Sequence, residues 1–516
     1  MNENNTYSCA MRRFLLSYVL IFVCACAFAQ THITIDNPGT WTAEKLQPYI
    51  GQTVIFDVPM IVCGNANGNY VVSPWRRFQP ESHGFAGTTD YNATVRINST
   101  CMFGLSGVND YHRCGEKIIG LKAKVNSTSS LTWQGGTWHG NKRADLEAGL
   151  PDLGDYRLLV CGFNLENYYM TIGEMGAQSE SDRQAQRAKV SKALKQIDAD
   201  IYGLVELQQG NEAIEEIVND LNKNLPDRKY RFFSESATGT FQKVDFVYDA
   251  NKVEPIGTPI ETDVELANRK KMICFRERAT GERFIYSINH FKAMNSGAES
   301  RRVNEAKAVV KLYNSYRNNK SIRENDILIM GDLNCYAYTA PIKVFTDNGM
   351  IDLHRAFHAD SSYSYMFGGL ASYIDHAIGN GTMYRQVTGM AAYHINSDED
   401  DRYTYDKSSD RTMFRCSDHD PVLVGIKLDS TLIYDPTPLI NSNEIFNGES
   451  NKLLIQNAYD EEQKSFYAIY SINGWLVDRK EITSPMYEVE LPDEPGMYIV
   501  YVYFDGQVFQ RRMIVR

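Results

Sequence analysis

The chain has no C-x-x-C pair, and its ten cysteines are few for 516 residues. That argues against a structural zinc site, which needs closely spaced thiolates. Basic charge is also in short supply: 53 Lys and Arg stand against 64 Asp and Glu, a net charge of −11. A passive basic nucleic-acid binder is therefore disfavoured. An enzyme acting on a polyanion is not, because a bound metal ion supplies local positive charge. Long apolar runs are missing beyond residue 29, so no later segment reads as a membrane span. Internal repeats and low-complexity tracts are missing as well. What is present is ordinary for globular protein, 43% hydrophobic and 23% charged residues, at a length that suggests about three domains.

The one apolar run opens the chain. "MRRFLLSYVLIFVCACAFAQ" has Arg12 and Arg13, an apolar stretch from Phe14, and Ala27-Phe28-Ala29. These are the parts of a secretory signal peptide, residues 1–29, cleaved after Ala29. The run is short for a membrane anchor and no basic flank follows it. Met11 reads as the true start. Glu3, Arg12 and Arg13 are the charges of 1–29, so the remainder carries −12, and a secreted or cell-surface location is expected. Seven cysteines remain: Cys63, Cys101, Cys114, Cys161, Cys274, Cys335 and Cys416. An odd number in an exported protein leaves at least one free thiol or an intermolecular bond. Cys101 with Cys114 is the pairing suggested within the first domain, and Cys335 is expected to be buried or disulfide-bonded.

Residues 31–147 read as short strands separated by Gly, Asn, Pro and Ser, as in "QTVIFDVPMIVCG" and "KIIGLKAKV". A small OB-like barrel is expected. Trp75, Trp133 and Trp138 are read first as core aromatics and second as a stacking platform for a base or sugar. The segment as a whole is read as a spacer, with nucleic-acid docking as the alternative. "NKRADLEAGLPDLGD" (141–155) reads as a linker. Residues 156–428 interleave strands such as "YRLLVCGFN" and "NDILIMGDLN" with amphipathic helices such as "SDRQAQRAKVSKALKQIDA", the pattern of an α/β sandwich. A second linker is expected at 434–444. Beyond it the chain alternates in period two with Asn473-Gly474 and Pro495-Gly496 turns, and 434–516 as a unit is expected to be a small antiparallel β-sandwich.

Within 156–428, strand ends carry polar groups: Asn164, Glu206, His290, and Asp332 with Asn334, while Asp375, Asp418 and His419 stand at the mouths of two more. A lone Asp at a strand end is usually a turn residue, and His394 and His358 read as surface or satisfied core residues. Asp398, Glu399, Asp400 and Asp401 read as a solvated loop, with a calcium site as the lesser alternative. One polar tip on every core strand is a different matter, and it suits phosphodiester cleavage. Glu206, Asn164 and Asp418 offer hard oxygen ligands to a divalent cation, Mg²⁺ or Mn²⁺, with Ca²⁺ as a further choice. His419 is the candidate base, held in its tautomer by Asp375. His290 would bind phosphate or protonate the leaving oxygen. Asp332 and Asn334, two apart on a strand, would share a face and act on water and phosphate oxygen.

These stretches, "CGFN", "GLVELQ", "INHFKA", "GDLN", "YIDHAI" and "SDHDPV", resemble in kind and order the endonuclease/exonuclease/phosphatase family, whose fold is that of deoxyribonuclease I. The resemblance covers 156–428 and implies a four-layer α/β sandwich and metal-dependent hydrolysis. "INHFKA" with "YSYMFGGLASYIDHAIGN" is most similar to the secreted bacterial nucleases of that family. Deoxyribonuclease I places a glutamate behind the first histidine; here Gln242 falls near that place and Asp245 is displaced from it. The last eighty residues, through "NGW", "LPDEPGMYIVYV" and "RRMIVR", resemble a type IX secretion sorting domain, which implies that secretion machinery as a partner.

A metal-dependent nuclease on extracellular DNA, and RNA, is thus the leading expectation. A sphingomyelinase or other phosphoesterase of the same fold is the alternative, to be favoured by a projecting aromatic hairpin. A non-catalytic surface binding protein is the weaker one.

Overall fold

The computed structural model describes residues 30–429, apart from breaks at 37–39, 66–68, 296, 318, 320–321, 323, 359–360 and 406–411, and the strands between 439 and 515. The expected signal peptide and residues 434–438 and 443–444 of the second expected linker lie outside the described residues, while Leu439–Ser442 of that linker is a strand paired with Lys452–Gln456.

The first seven strands are β1 (Thr31–Ile33), β2 (Thr53–Phe56), β3 (Met60–Gly64), β4 (Tyr70–Ser73), β5 (Phe103–Ser106), β6 (Lys117–Ser127) and β7 (Ser130–His139). They form one sheet in the order β1-β2-β6-β3-β4-β5-β7, and β6 also pairs with β7. That extra pairing closes β6-β3-β4-β5-β7 into a ring, with β5 and β7 parallel. This is the barrel its sequence leads one to expect. Period-two patterning drives the closure: Ile118, Leu121, Ala123 and Val125 of β6 point inward while Lys117 and Lys124 face water. Trp75, Trp133 and Trp138 pack against this core, Trp138 stacking on His112 at 3.4 Å and on Trp133 at 5.3 Å.

The next strands are β8 (Leu158–Tyr168), β9 (Ile201–Gln208), β10 (Tyr230–Phe232), β11 (Gln242–Asp249), β12 (Val253–Glu261), β13 (Lys270–Glu277), β14 (Arg283–His290) and β15 (Ile327–Asp332). They are followed by β16 (Met350–Asp352), β17 (Tyr365–Phe367), β18 (Leu370–Ser372), β19 (Asp375–Asn380), β20 (Val387–Ala392) and β21 (Val422–Ile426). Two six-stranded sheets result, β10-β11-β9-β8-β21-β20 and β12-β13-β14-β15-β19-β16. Their inner faces share one core, in which Val160, Val205 and Phe246 meet Tyr286, Leu328 and Met330. Each such fully buried side chain is worth about 1.5–3 kcal/mol. The outer face of the first sheet, with Cys161 and Phe163, is covered by the helices Glu180–Ile197 and Glu212–Asn224. The outer face of the second, with Ile327 and Ile329, is covered by Glu299–Arg317. Helix, sheet, sheet and helix make the four-layer α/β sandwich.

Two sequence readings are corrected. Residues 141–155 are no free tether: they include the helix Arg143–Glu147, and Leu146 and Leu150 pack on the outer core of the first sheet. Cys101 and Cys114 do not pair; all seven cysteines beyond residue 29 are buried free thiols. At the C-terminal end, seven strands from Leu439 to Val515 form a three-stranded and a four-stranded antiparallel sheet with a common core of Leu453, Ile455, Tyr467, Ile469 and Val500.

Gly331 is the tightest point in the second sheet. Its φ is +119° and a Cβ there would lie 2.1 Å from the Asn289 carbonyl oxygen. Gly331→Ala is expected to lower unfolding free energy by about 3 kcal/mol or more in urea titration. The thiols give a second check: Cys63, Cys101, Cys114, Cys161, Cys274, Cys335 and Cys416 should stay unreactive to a thiol reagent until denaturant is added, and a reductant should leave the melting temperature unchanged.

Candidate active site

Strand register builds the site. His290 ends β14 opposite Asp332, the last residue of β15, and Asp332 lies opposite Asp375, the first residue of β19. In the facing sheet, Asn164 of β8 pairs with Val205, one residue before Glu206 of β9. The sheets therefore bring their polar ends to one mouth.

Asp332 is its hub. Oδ1 accepts Asn334 N at 2.8 Å, and Oδ2 accepts Asn334 Nδ2 and Asn164 Nδ2, each at 3.1 Å. The Asp332–Asn334 proximity has a different origin from strand alternation. The strand stops at Asp332, and a turn with Asn334 at φ +48° folds the amide back onto the carboxylate. Glu206 accepts Asn167 N at 2.9 Å, and its Oε1 lies 3.5 Å from His290 Nε2, which is 3.7 Å from Asp332 Oδ2. Burial raises the Glu206 pKa, the Asp418 charge adding to it. Asp332 is pushed up to about 7 by burial, with Asp375 and Glu206 adding and His419 opposing. Burial and the nearby Arg269 hold His290 well below the usual imidazole range.

A second group stands beside this one. His419 Nδ1 meets Asp375 Oδ2 at 2.8 Å, and Ser364 Oγ donates to the same oxygen at 2.7 Å. Burial disfavours the imidazolium, but Asp375 and Asp418 outweigh it and lift the His419 pKa well above normal. The Tyr365 ring lies 4.8 Å from the imidazole, and Asp418 Oδ1 is 3.8 Å from Nε2. Asp418 itself is partly open to solvent at the rim, 32% exposed. The eight residues singled out in the sequence thus lie around one mouth.

The place behind His290 is now defined. Gln242 Nε2 donates to Asn167 Oδ1 at 2.5 Å, and a bulge turns Asp245 to Lys243 Nζ at 2.9 Å. Neither reaches His290, whose Nδ1 is buried with no hydrogen-bond partner among the described residues. Sequence reasoning missed Glu166, Arg269, Ser364 and Tyr365. Glu166, two residues after Asn164, was findable as a further acid on the same strand; burial, then Asp418, pushes it up to about 7. Arg269 comes from the turn before β13 and donates to the Phe291 carbonyl at 3.2 Å; nothing in its local sequence marks it.

Among the described residues, five of the nine non-glycine residues with positive φ are at or beside this mouth: Glu166, Asn167, Glu206, Asn334 and Arg415. Strain of this kind collects at functional sites. The donor set suits a hard divalent cation. Glu206, His290 and Asp332 each offer an atom within 4.8 Å of the others, and the two carboxylates, Asp332 buried and Glu206 half-buried, both have raised pKa.

No family model and no curated protein matches the chain. Solved structures do. One is an endonuclease/exonuclease/phosphatase from Bacteroides vulgatus, 15% identical, covering 53% of this chain and 99% of its own, TM-score 0.38. Another is a mannosyl-6-phosphatase from Bacteroides thetaiotaomicron, 18% identical, covering 52% and 100%, TM-score 0.37. A third is TDP2 from D. rerio with a single-strand DNA product, 12% identical, covering 52% and 99%, TM-score 0.37.

The raised Glu166 pKa has a stability consequence. The folded chain holds the extra proton, so the ionised group weighs against folding at a pH above its folded value of about 7 and not below its unfolded value. With EDTA present, Glu166→Gln should stabilise the chain by about 2–3 kcal/mol at pH 8 and leave it unchanged at pH 4, as read by denaturant titration at the two pH values.

Proposed function

We propose that the chain is a divalent-metal-dependent phosphodiesterase, a nuclease that hydrolyses extracellular DNA and also RNA. The observation that carries this reading is the juxtaposition of the Asp375–His419 pair with the Glu206–His290–Asp332 cluster at one mouth. Asp375 occupies Nδ1 of His419, so Nε2 is the nitrogen that faces an attacking water; Asp375 and Asp418 favour the imidazolium, and Nε2 can take the water's proton once a cation held beside Asp418 offsets them. Asn334 and Asn164 hold Asp332 from two sides; the other Asn334 amide hydrogen goes to the Phe291 carbonyl at 3.1 Å and the Asn164 side chain also bonds Glu206, so both amides orient the carboxylates. His290, neutral and buried, can bind phosphate through Nε2. Glu206 and Asp332, with Asp418 at the rim, would hold Mg²⁺ or Mn²⁺. The cation's contribution is to neutralise the phosphate and the charge that develops on its oxygens.

Export is proposed on the signal-peptide reading of 1–29, with removal after Ala29, and type IX secretion machinery is proposed as the partner of 434–516. The domain division proposed is 31–147, 156–428 and 434–516. A phospholipid phosphodiesterase such as a sphingomyelinase is the second reading, favoured by exposed Phe241, just before β11, and exposed Phe367, at the end of β17. Against it, the β17–β18 hairpin that bears Phe367 does not project: Ala371 exchanges backbone hydrogen bonds with Arg77 and Gln79 of the barrel segment.

The test is a substrate comparison. The purified chain with Mg²⁺ or Mn²⁺ should cut DNA, EDTA should abolish cutting, and His419→Ala or Glu206→Ala should lower kcat about 100-fold or more. DNA left uncut, with phosphocholine released from sphingomyelin, would overturn the nuclease reading.

A further inference from the structure

The loop after β20 is not the solvated acidic loop its composition suggests, nor a calcium site. Asp398, Glu399 and Asp400 are buried; only Asp401 faces water. The reason is a set of partners some 250 to 330 residues away in sequence, from the barrel and the segment after it. Asp398 Oδ1 accepts Arg76 Nη2 and its Oδ2 accepts Asn141 Nδ2, both at 2.8 Å. The Asp398 carbonyl accepts Asn65 Nδ2 and Cys114 N, both at 3.0 Å. Glu399 Oε1 pairs with Arg113 Nε at 2.8 Å and accepts Arg143 Nε at 3.1 Å. Despite burial, which acts the other way, Arg76 and its neighbours hold the Asp398 pKa below the usual carboxylate range.

From these anchors a continuous run of buried contacts reaches the reacting pair. Tyr363 OH donates to Asp398 Oδ2 at 2.9 Å, and its ring lies under the Arg76 guanidinium at 4.5 Å and against His394 at 3.8 Å. The next residue, Ser364, donates to Asp375, and its carbonyl accepts Asp420 N at 2.8 Å. Asp420 in turn accepts Asn396 N at 2.8 Å, and Asn396 Nδ2 donates to the His419 carbonyl at 2.6 Å. Both flanks of the Asp375–His419 bond are therefore fastened to a loop whose counter-charges belong to the barrel.

We propose that the barrel is a positioning element of the hydrolytic site. Arg76, acting through Asp398 and Tyr363, fixes Ser364, Asp375 and His419 in the geometry that accepts the proton. It is neither a spacer nor a substrate-docking module. Arg76, Asp398 and Tyr363 are positioning residues; none is argued to touch substrate. Removing the guanidinium leaves a buried carboxylate with its largest counter-charge gone, and the 394–399 loop must loosen to hydrate it. A displacement of that size in His419 acts on turnover more than on binding.

The inference rests on the reading of Asp375 and His419 as reacting groups, and the experiment has two arms on the full chain. In the first, steady-state kinetics use any phosphodiester the wild type hydrolyses, a chromogenic aryl phosphodiester included. Arg76→Met and Tyr363→Phe should lower kcat about tenfold or more while KM moves less than about twofold, and Arg76→Lys should recover turnover toward wild type. Lys427→Ala, which breaks an exposed pair with Asp155, should change neither. The second arm reads amide hydrogen exchange, which should quicken in Arg76→Met at 394–399 and at 364 and stay unchanged in the helices over the two sheets. This arm needs no turnover, so a wild type inert toward every phosphodiester would defeat the proposed function while exchange still decides the brace. A raised KM with kcat intact would overturn positioning in favour of substrate docking by the barrel. Unchanged kcat with unchanged exchange would leave a spacer and also overturn it. If Arg76→Met does not fold, Tyr363→Phe, which loses a single hydroxyl, decides on the same two readings.

Discussion

The hydrogen bond between Asp375 Oδ2 and His419 Nδ1, 2.8 Å long and nearly closed to solvent, stands between two groups of buried carboxylates with different counter-charges. On the open side are Glu206, Asp332 and Glu166, whose pKa values all rise with burial and neighbouring carboxylates, opposed only in part by His419 and, at Glu166, Arg415. On the closed side are Asp398 and Glu399, matched by Arg76, Arg113 and Arg143. Stripping a buried carboxylate of its partner costs about 3–5 kcal/mol, so the closed side is committed to the barrel. Among the described residues the open side has no arginine ion pair of that kind, and that is where a cation fits.

Rigidity behind the mouth makes this arrangement tenable. Five residues there hold positive φ without being glycine, at roughly 1–3 kcal/mol each. Two six-stranded sheets sharing one apolar core, each backed by helices, carry that strain. Gly331 shows how little slack exists: the chain must pass so close to Asn289 that no side chain is admitted one residue before the hub carboxylate.

Much of this was legible in the sequence, for local reasons. The alternation in "DILIMGDLN" separates Leu328 and Met330, in the inter-sheet core, from Ile327 and Ile329, under the helix, and the polar residue that ends the run faces the mouth. The barrel could be read from the inward and outward alternation of β6. The acidic run at 398–401 was illegible because its burial depends on arginines from Arg76 to Arg143, and no local pattern reports a partner so distant. The segment 141–155 was misread for the same cause: its turn residues are those of a linker, while Leu146, Leu150 and Arg143 are fastened by contacts across the sequence. The Asp332–Asn334 pair was placed together for the wrong reason, alternation in place of a turn, because strand ends are set by hydrogen-bonded neighbours and not by the strand's own residues.

The central claim is that the buried, under-neutralised carboxylates at the mouth exist to hold one divalent cation next to the Asp375–His419 pair. Calorimetric titration of the metal-free chain with Mn²⁺ near pH 7 tests it most directly. The account predicts one site per chain, protons released to the buffer as Asp332 ionises around the ion, and loss of that site in Glu206→Gln. No binding, or a site indifferent to Glu206→Gln, would contradict it.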